Sequence, residues 1–260
     1  MSQAAAFRLF PLLPVMLLAG CASAPPAVTL MEHIPTPPAN AAAAVARCGE
    51  RQDKGLDSAA AELAALQKQE ESQLRQVTEA VKAQPGGATA YSKQYPQAAE
   101  ALVKHQDGIN GEYQELNLRM DVRAQDPIRA LADALDRIDG VERSQLNLCQ
   151  LVLVDNHWIQ KPECTDPVRA QAKAQRAQAA DKYLADAQAV WRDWRQDAEQ
   201  TLAGWDKIPE GTPDAGNVYV QLAELGYRHT QTQLAQQFMG AATNLCGLAV
   251  QAVNRPDIKP

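Results

Sequence analysis

Aromatic residues are scarce, at 5% of the 260-residue chain, and β-branched residues are thinly spread. This combination gives little support to a large sheet, whose strands draw on both classes. Positive charge is also in deficit: 25 basic groups face 31 acidic ones, for a formal charge of −6. That balance excludes a broad footprint on nucleic acid, which needs cations to displace counterions from phosphate. It also excludes electrostatic attachment to anionic lipid as the main membrane contact. The four histidines, His33, His105, His157 and His229, form neither HExxH nor paired ExxH sequences, so no metal site is expected. A redox CxxC, a GxSxG elbow, an SxxK, a P-loop and a GxGxxG are all missing. No catalytic residue and no cofactor is predicted. The longest apolar run, Leu9 to Leu18, falls short of the roughly 20 residues that span a bilayer.

Good helix formers fill the space these absences leave. Ala, Gln, Leu, Glu and Arg dominate beyond residue 46, and their apolar members recur at three- and four-residue intervals. Leu56, Ala60, Leu63, Leu74, Val77 and Val81 form one stripe, interrupted by Gln67 and Glu70; Pro85-Gly86-Gly87 ends it. A second helix opens at Pro96 and carries Ala99, Leu102, Ile109, Tyr113, Leu116 and Met120. Asp126-Pro127 is read as the cap and first turn of a third, and Asp166-Pro167 as those of a fourth. The likeness between these two openings is assigned to shared capping chemistry rather than to duplication. The fourth helix reaches Trp205 with Tyr183, Ala187, Val190, Trp194 and Leu202 near one face. The fifth runs from about Asn217 to Asn254. The segment 145–154 suits helix or a short buried strand; helix is preferred, because no strand partner is evident. The expected fold is all-α: a bundle of about five long amphipathic helices, mostly antiparallel.

The amino terminus has a different character. Arg8 precedes the apolar run, which ends in the small residues Ala19-Gly20 before Cys21, the layout of an export signal. Leu18-Ala19-Gly20-Cys21 resembles the lipobox of bacterial lipoproteins. The resemblance covers only this processing signal. It implies cleavage before Cys21, diacylglyceryl transfer to its thiol and further acylation of the new terminus, so that several chains together anchor the protein. With Ala22 rather than Asp after the cysteine, it also implies the outer membrane and a periplasmic face. Residues 1–20 are thus expected as signal peptide, 21–46 as a lipidated flexible tether rich in Pro and Ala, and 47–260 as the helical domain. Loss of Arg8 with the signal moves the formal charge from −6 to −7.

Cys48, Cys149, Cys164 and Cys246 remain. An even number in an oxidising compartment predicts two disulfides. Of the three possible pairings, Cys149–Cys164 across a local turn with Cys48–Cys246 tying the domain ends is favoured. Trp191-Arg192-Asp193-Trp194-Arg195 is the most distinctive cluster. Core burial is the simpler account of Trp191, Trp194 and Trp205, but Trp and Arg are also the residues that anchor interfaces. Trp158, Trp191, Trp194 and Arg195 are therefore candidate partner contacts. The functional expectation is a non-enzymatic, lipid-anchored protein that binds or scaffolds another envelope protein. An immunity protein against an envelope-targeting toxin and an envelope glycan hydrolase are the alternatives; the latter requires two close carboxylates in a cleft.

Overall fold

A computed structural model describes residues 34–49, 54–87, 89–154, 157–205 and 207–258. The chain is an all-α bundle. Its helices are α1 (Ala41–Cys48), α2 (Lys54–Ala83), α3 (Thr89–Gln94), α4 (Pro96–Leu146), α5 (Pro162–Leu202) and α6 (Val218–Val253). Between α4 and α5 stands an antiparallel hairpin of β1 (Leu151–Val154) and β2 (His157–Gln160).

Several boundaries follow from local chemistry. Gly86 and Gly87, with φ of 87° and 55°, reverse the chain after α2 in a backbone region that costs glycine little. Pro96 sits in the first turn of α4, where no amide donor is needed. Asn217 caps α6 by accepting from the Tyr219 amide at 3.0 Å, filling one of the orphan donors of the first turn.

Trp194 donates to the Leu116 carbonyl at 3.1 Å and Arg176 reaches Glu142, so α5 runs antiparallel to α4. Tyr227 donates to the Leu102 carbonyl and Arg255 pairs with Asp139, so α6 lies parallel to α4. Helix α2 packs along α6, where Gln236 donates to Gln67 and Thr232 to Glu70. One core cluster centres on Trp191, Trp194, Trp205 and Phe238; a second, nearer the hairpin end, joins Leu131, Leu135, Tyr183, Leu184 and Ala249. An ionic clasp closes the α4–α5 seam there. Arg176 is 1% exposed and bonds Asp139 at 2.9 Å as well as Glu142. Burial pulls its pKa down, but the hydrogen bond and charge of Asp139 and the charge of Glu142 outweigh that and raise it.

Four expectations are corrected. Asp126-Pro127 does not open a helix: Pro127 is buried within the 51-residue α4. A proline there forfeits a hydrogen bond to the Arg123 carbonyl, at about 3 kcal/mol, and burial of Leu116, Leu131 and Leu135 on the same helix outweighs it. Likewise α5 opens at Pro162, with Pro167 inside it. The segment Leu151–Val154 is a strand, because His157–Gln160, only a turn away, supplies the partner missing from the sequence reading. Finally, the tether ends earlier than residue 46. Ile34, Pro37 and Pro38 are buried, and Ala41 and Ala44 of α1 lie 3% and 0% exposed against α5 and α6. The Gln188 carboxamide donates to the Pro38 carbonyl at 2.7 Å and the Ala41 amide to Asp181 at 2.7 Å. The signal, Cys21, His33 and the first part of the tether lie outside the described residues.

Both disulfides form as expected, Cys48–Cys246 with Cα atoms 6.1 Å apart and Cys149–Cys164 with 5.8 Å. The first ties α1 to α6, and the second staples the base of the hairpin.

Candidate functional site: an interhelical groove

The groove begins with the α5 stripe. Residues 183, 187, 190, 191 and 194 project from one side of α5 at helical spacing. There α4 and α6 stand apart instead of closing over them, leaving a cavity of about 880 Å³. Its floor is Tyr183, Ala187, Val190 and Trp191; Met120, Pro127 and Ile128 of α4 form one wall, Leu245 and Leu248 of α6 the other. Gln125, Gln233, Gln236, Gln237 and Asn244 supply a carboxamide rim with one acidic group, Asp121. No Lys or Arg lines it. The volume lies in the range of small-ligand sites, which bundles place between facing helices.

Two polar atoms in this floor lack partners. Tyr183 is 2% exposed and Trp191 4% exposed, yet Tyr183 Oη and Trp191 Nε1 are buried without a hydrogen bond. The other core indoles differ, since Trp194 bonds the Leu116 carbonyl and Trp205 bonds Glu112 at 2.6 Å. An unsatisfied buried donor costs about 1–3 kcal/mol, and neither of these two atoms has an acceptor among the described residues. Burial alone raises the Tyr183 pKa to about 12; the phenol stays protonated and remains a donor at physiological pH. Eight residues of helix separate the two donors, about 12 Å along the axis.

The candidate contacts fare differently. Trp191 and Trp194 are core, not an exposed patch: Trp194 stacks on Phe238 and Trp191 meets it edge-on at 5.2 Å. They nevertheless border the groove from beneath. Arg195 faces away into an ion pair with Glu199 at 2.7 Å. Trp158 lies in β2, opposite Leu153, roughly 40 Å from Trp191 along α5; the structure does not bring it to the others. Sequence reasoning missed Tyr183 as a polar site residue. A tyrosine and a tryptophan on an otherwise aliphatic stripe were the available signal, since each brings a donor that must be satisfied.

Two other polar groups deserve comparison. Glu70 is 3% exposed at the α2–α6 seam, accepting from Thr232 at 2.7 Å and lying 3.5 Å from His229 Nδ1. Burial raises its pKa, opposed in part by Thr232, His229 and Arg228. It faces a helix seam, not the groove. His105 packs edge-on to Tyr227 and borders a second cavity with Glu112 and Trp205. Among the described residues no three His, Cys, Asp or Glu converge as a metal centre. No family model matches this chain, and neither a curated protein nor a solved structure matches it.

Proposed function

We propose that this chain is a non-enzymatic, lipid-anchored protein of the cell envelope that binds another envelope protein, and that the groove between α4, α5 and α6 seats the partner. The pair of buried, unpartnered donors at Tyr183 and Trp191 carries this reading. A small side-chain shift that opened them to the groove would let a bound segment supply acceptors, and the aliphatic walls with a carboxamide rim suit a polypeptide segment. Its side chains would fill the floor while its backbone carbonyls take the two donors. A sugar would favour open indole faces, but Trp191 and Trp194 pack against Phe238. The lipobox-like Leu18-Ala19-Gly20-Cys21 supports attachment through acyl chains on Cys21, in the outer membrane facing the periplasm. Two disulfides agree with an oxidising compartment.

Gly240 gives a clean test. It lines the groove, and a Cβ added there meets nothing within 4 Å. Gly240→Leu therefore adds bulk to the groove from an open position and improves helix propensity. A photoreactive residue at Gln237 should yield one discrete adduct in envelope preparations, and Gly240→Leu should abolish it. An adduct that survives Gly240→Leu, or no adduct from Gln237 or Asn244, would sink the assignment. Cys21→Ser should independently release the protein from the membrane fraction and end fatty-acid labelling.

A further inference from the structure

The β1–β2 hairpin has no role in the groove and projects beyond the bundle. Its two strands pair only with each other, so each keeps an open outer edge. Leu148, Leu151, Leu153, Val154 and Ile159 are 83%, 57%, 55%, 45% and 42% exposed. Apolar side chains this exposed, on a free strand edge, form a template for another strand. The base is held by Cys149–Cys164 and by Gln160, whose carboxamide donates to the Leu146 carbonyl at 2.6 Å.

We propose that the hairpin is a self-association element, through which the β1 edges of two copies of this chain pair antiparallel into one four-stranded sheet. Three observations favour a second copy. Strand β1 is Leu-Val-Leu-Val, so identical edges related by a two-fold axis present aliphatic groups to each other on both faces, as an isologous interface requires. The eight strand residues contain no Asp, Glu, Lys or Arg, whereas the chain carries a formal charge of −6; the hairpin is where two acidic copies meet without like charges opposed. Pairing also satisfies the edge amides and carbonyls. A lipid surface would strip water from them without replacement. Two short strands make a small contact, so the dimer is weak in dilute solution. If the lipid anchor holds as proposed above, confinement of both copies to one surface raises their effective concentration.

Sedimentation equilibrium on the Cys21→Ser chain tests the pairing without acyl chains. Twice the monomer mass is expected at high concentration. Leu153→Lys, on an exposed side chain that leaves the helices intact by circular dichroism, should weaken association at least about tenfold by placing like charges across the new edge. A photoreactive residue at Leu153 should cross-link to residues 151–160 of a second copy. Gly240→Leu should leave the mass unchanged, which separates this test from that of the groove. A chain that stays monomeric at every concentration would overturn the proposal, as would a dimer indifferent to Leu153→Lys. So would a monomer that floats with phosphatidylethanolamine–phosphatidylglycerol vesicles through the hairpin, or cross-links from Leu153 to a different protein.

Discussion

Replacing Glu70 by Gln should stabilise this protein at neutral pH, although it removes a carboxylate that lies 3.5 Å from His229. Glu70 is 3% exposed, and its Oε2 is buried without a hydrogen bond. Its pKa is raised, chiefly by burial, so the folded state holds the proton more tightly than the unfolded chain. The sign follows directly. This group contributes stability below the ordinary glutamate value, and that contribution is lost as pH rises through the higher folded value. At neutral pH the charge is a burden on the α2–α6 seam. Glutamine keeps the shape and still accepts from Thr232. Removing an unsatisfied buried oxygen is worth about 1–2 kcal/mol, or roughly 2–4 °C in Tm per kcal/mol for a chain of this size. Urea unfolding followed by far-ultraviolet circular dichroism, repeated from neutral to acid pH, should show the variant ahead at neutrality. The advantage should shrink as the wild-type carboxylate takes its proton. A variant less stable at neutral pH, or a difference that ignores pH, would mean that the Glu70–His229 attraction holds α2 in place after all.

Three further outcomes are expected. Arg176→Met strands Glu142, whose side chain is 0% exposed, together with Asp139, and should cost about 3–5 kcal/mol in chemical denaturation; adding Glu142→Leu should recover much of the loss. Replacing both cysteines of a bridge by Ser should cost more for Cys48–Cys246 than for Cys149–Cys164. Their sequence separations are 198 and 15, which correspond to about 5 and 3 kcal/mol of restricted chain entropy, and the reverse order of urea midpoints would contradict that account. Burial raises Tyr183 and Tyr227 to about 12, so spectrophotometric titration should show late phenol ionisation and stability falling as pH climbs from about 10 toward that value. Tyr183→Phe should remove one late transition without loss of stability, because its hydroxyl has no partner in the fold.

Much of the architecture was legible because its signals are local. The break at Pro85-Gly86-Gly87, the opening at Pro96 and the cap at Asn217 depend on backbone preferences that hold in any context. The polar interruption at Gln67 and Glu70 was visible as well, and proved to be the hydrogen-bonded middle of the α2–α6 seam. Proline at position 127 misled because its usual meaning, a helix start, was overridden by packing along the whole of α4. The hairpin was hidden for the opposite reason: four residues are too few to announce a strand until a partner is found.

The groove shows the division most clearly. Composition and periodicity sufficed to require helices and to place Tyr183, Val190, Trp191 and Trp194 along α5, since each depends on neighbours in the chain; they favoured one pairing of the cysteines, which the structure then decided. Whether those side chains would be sealed or left beside open space depended on how far α4 and α6 stand apart, a distance set by packing among residues far away in sequence. A stripe dictates which side chains turn inward. Only the tertiary arrangement decides whether the donors they carry find a partner inside the fold or wait for one from outside.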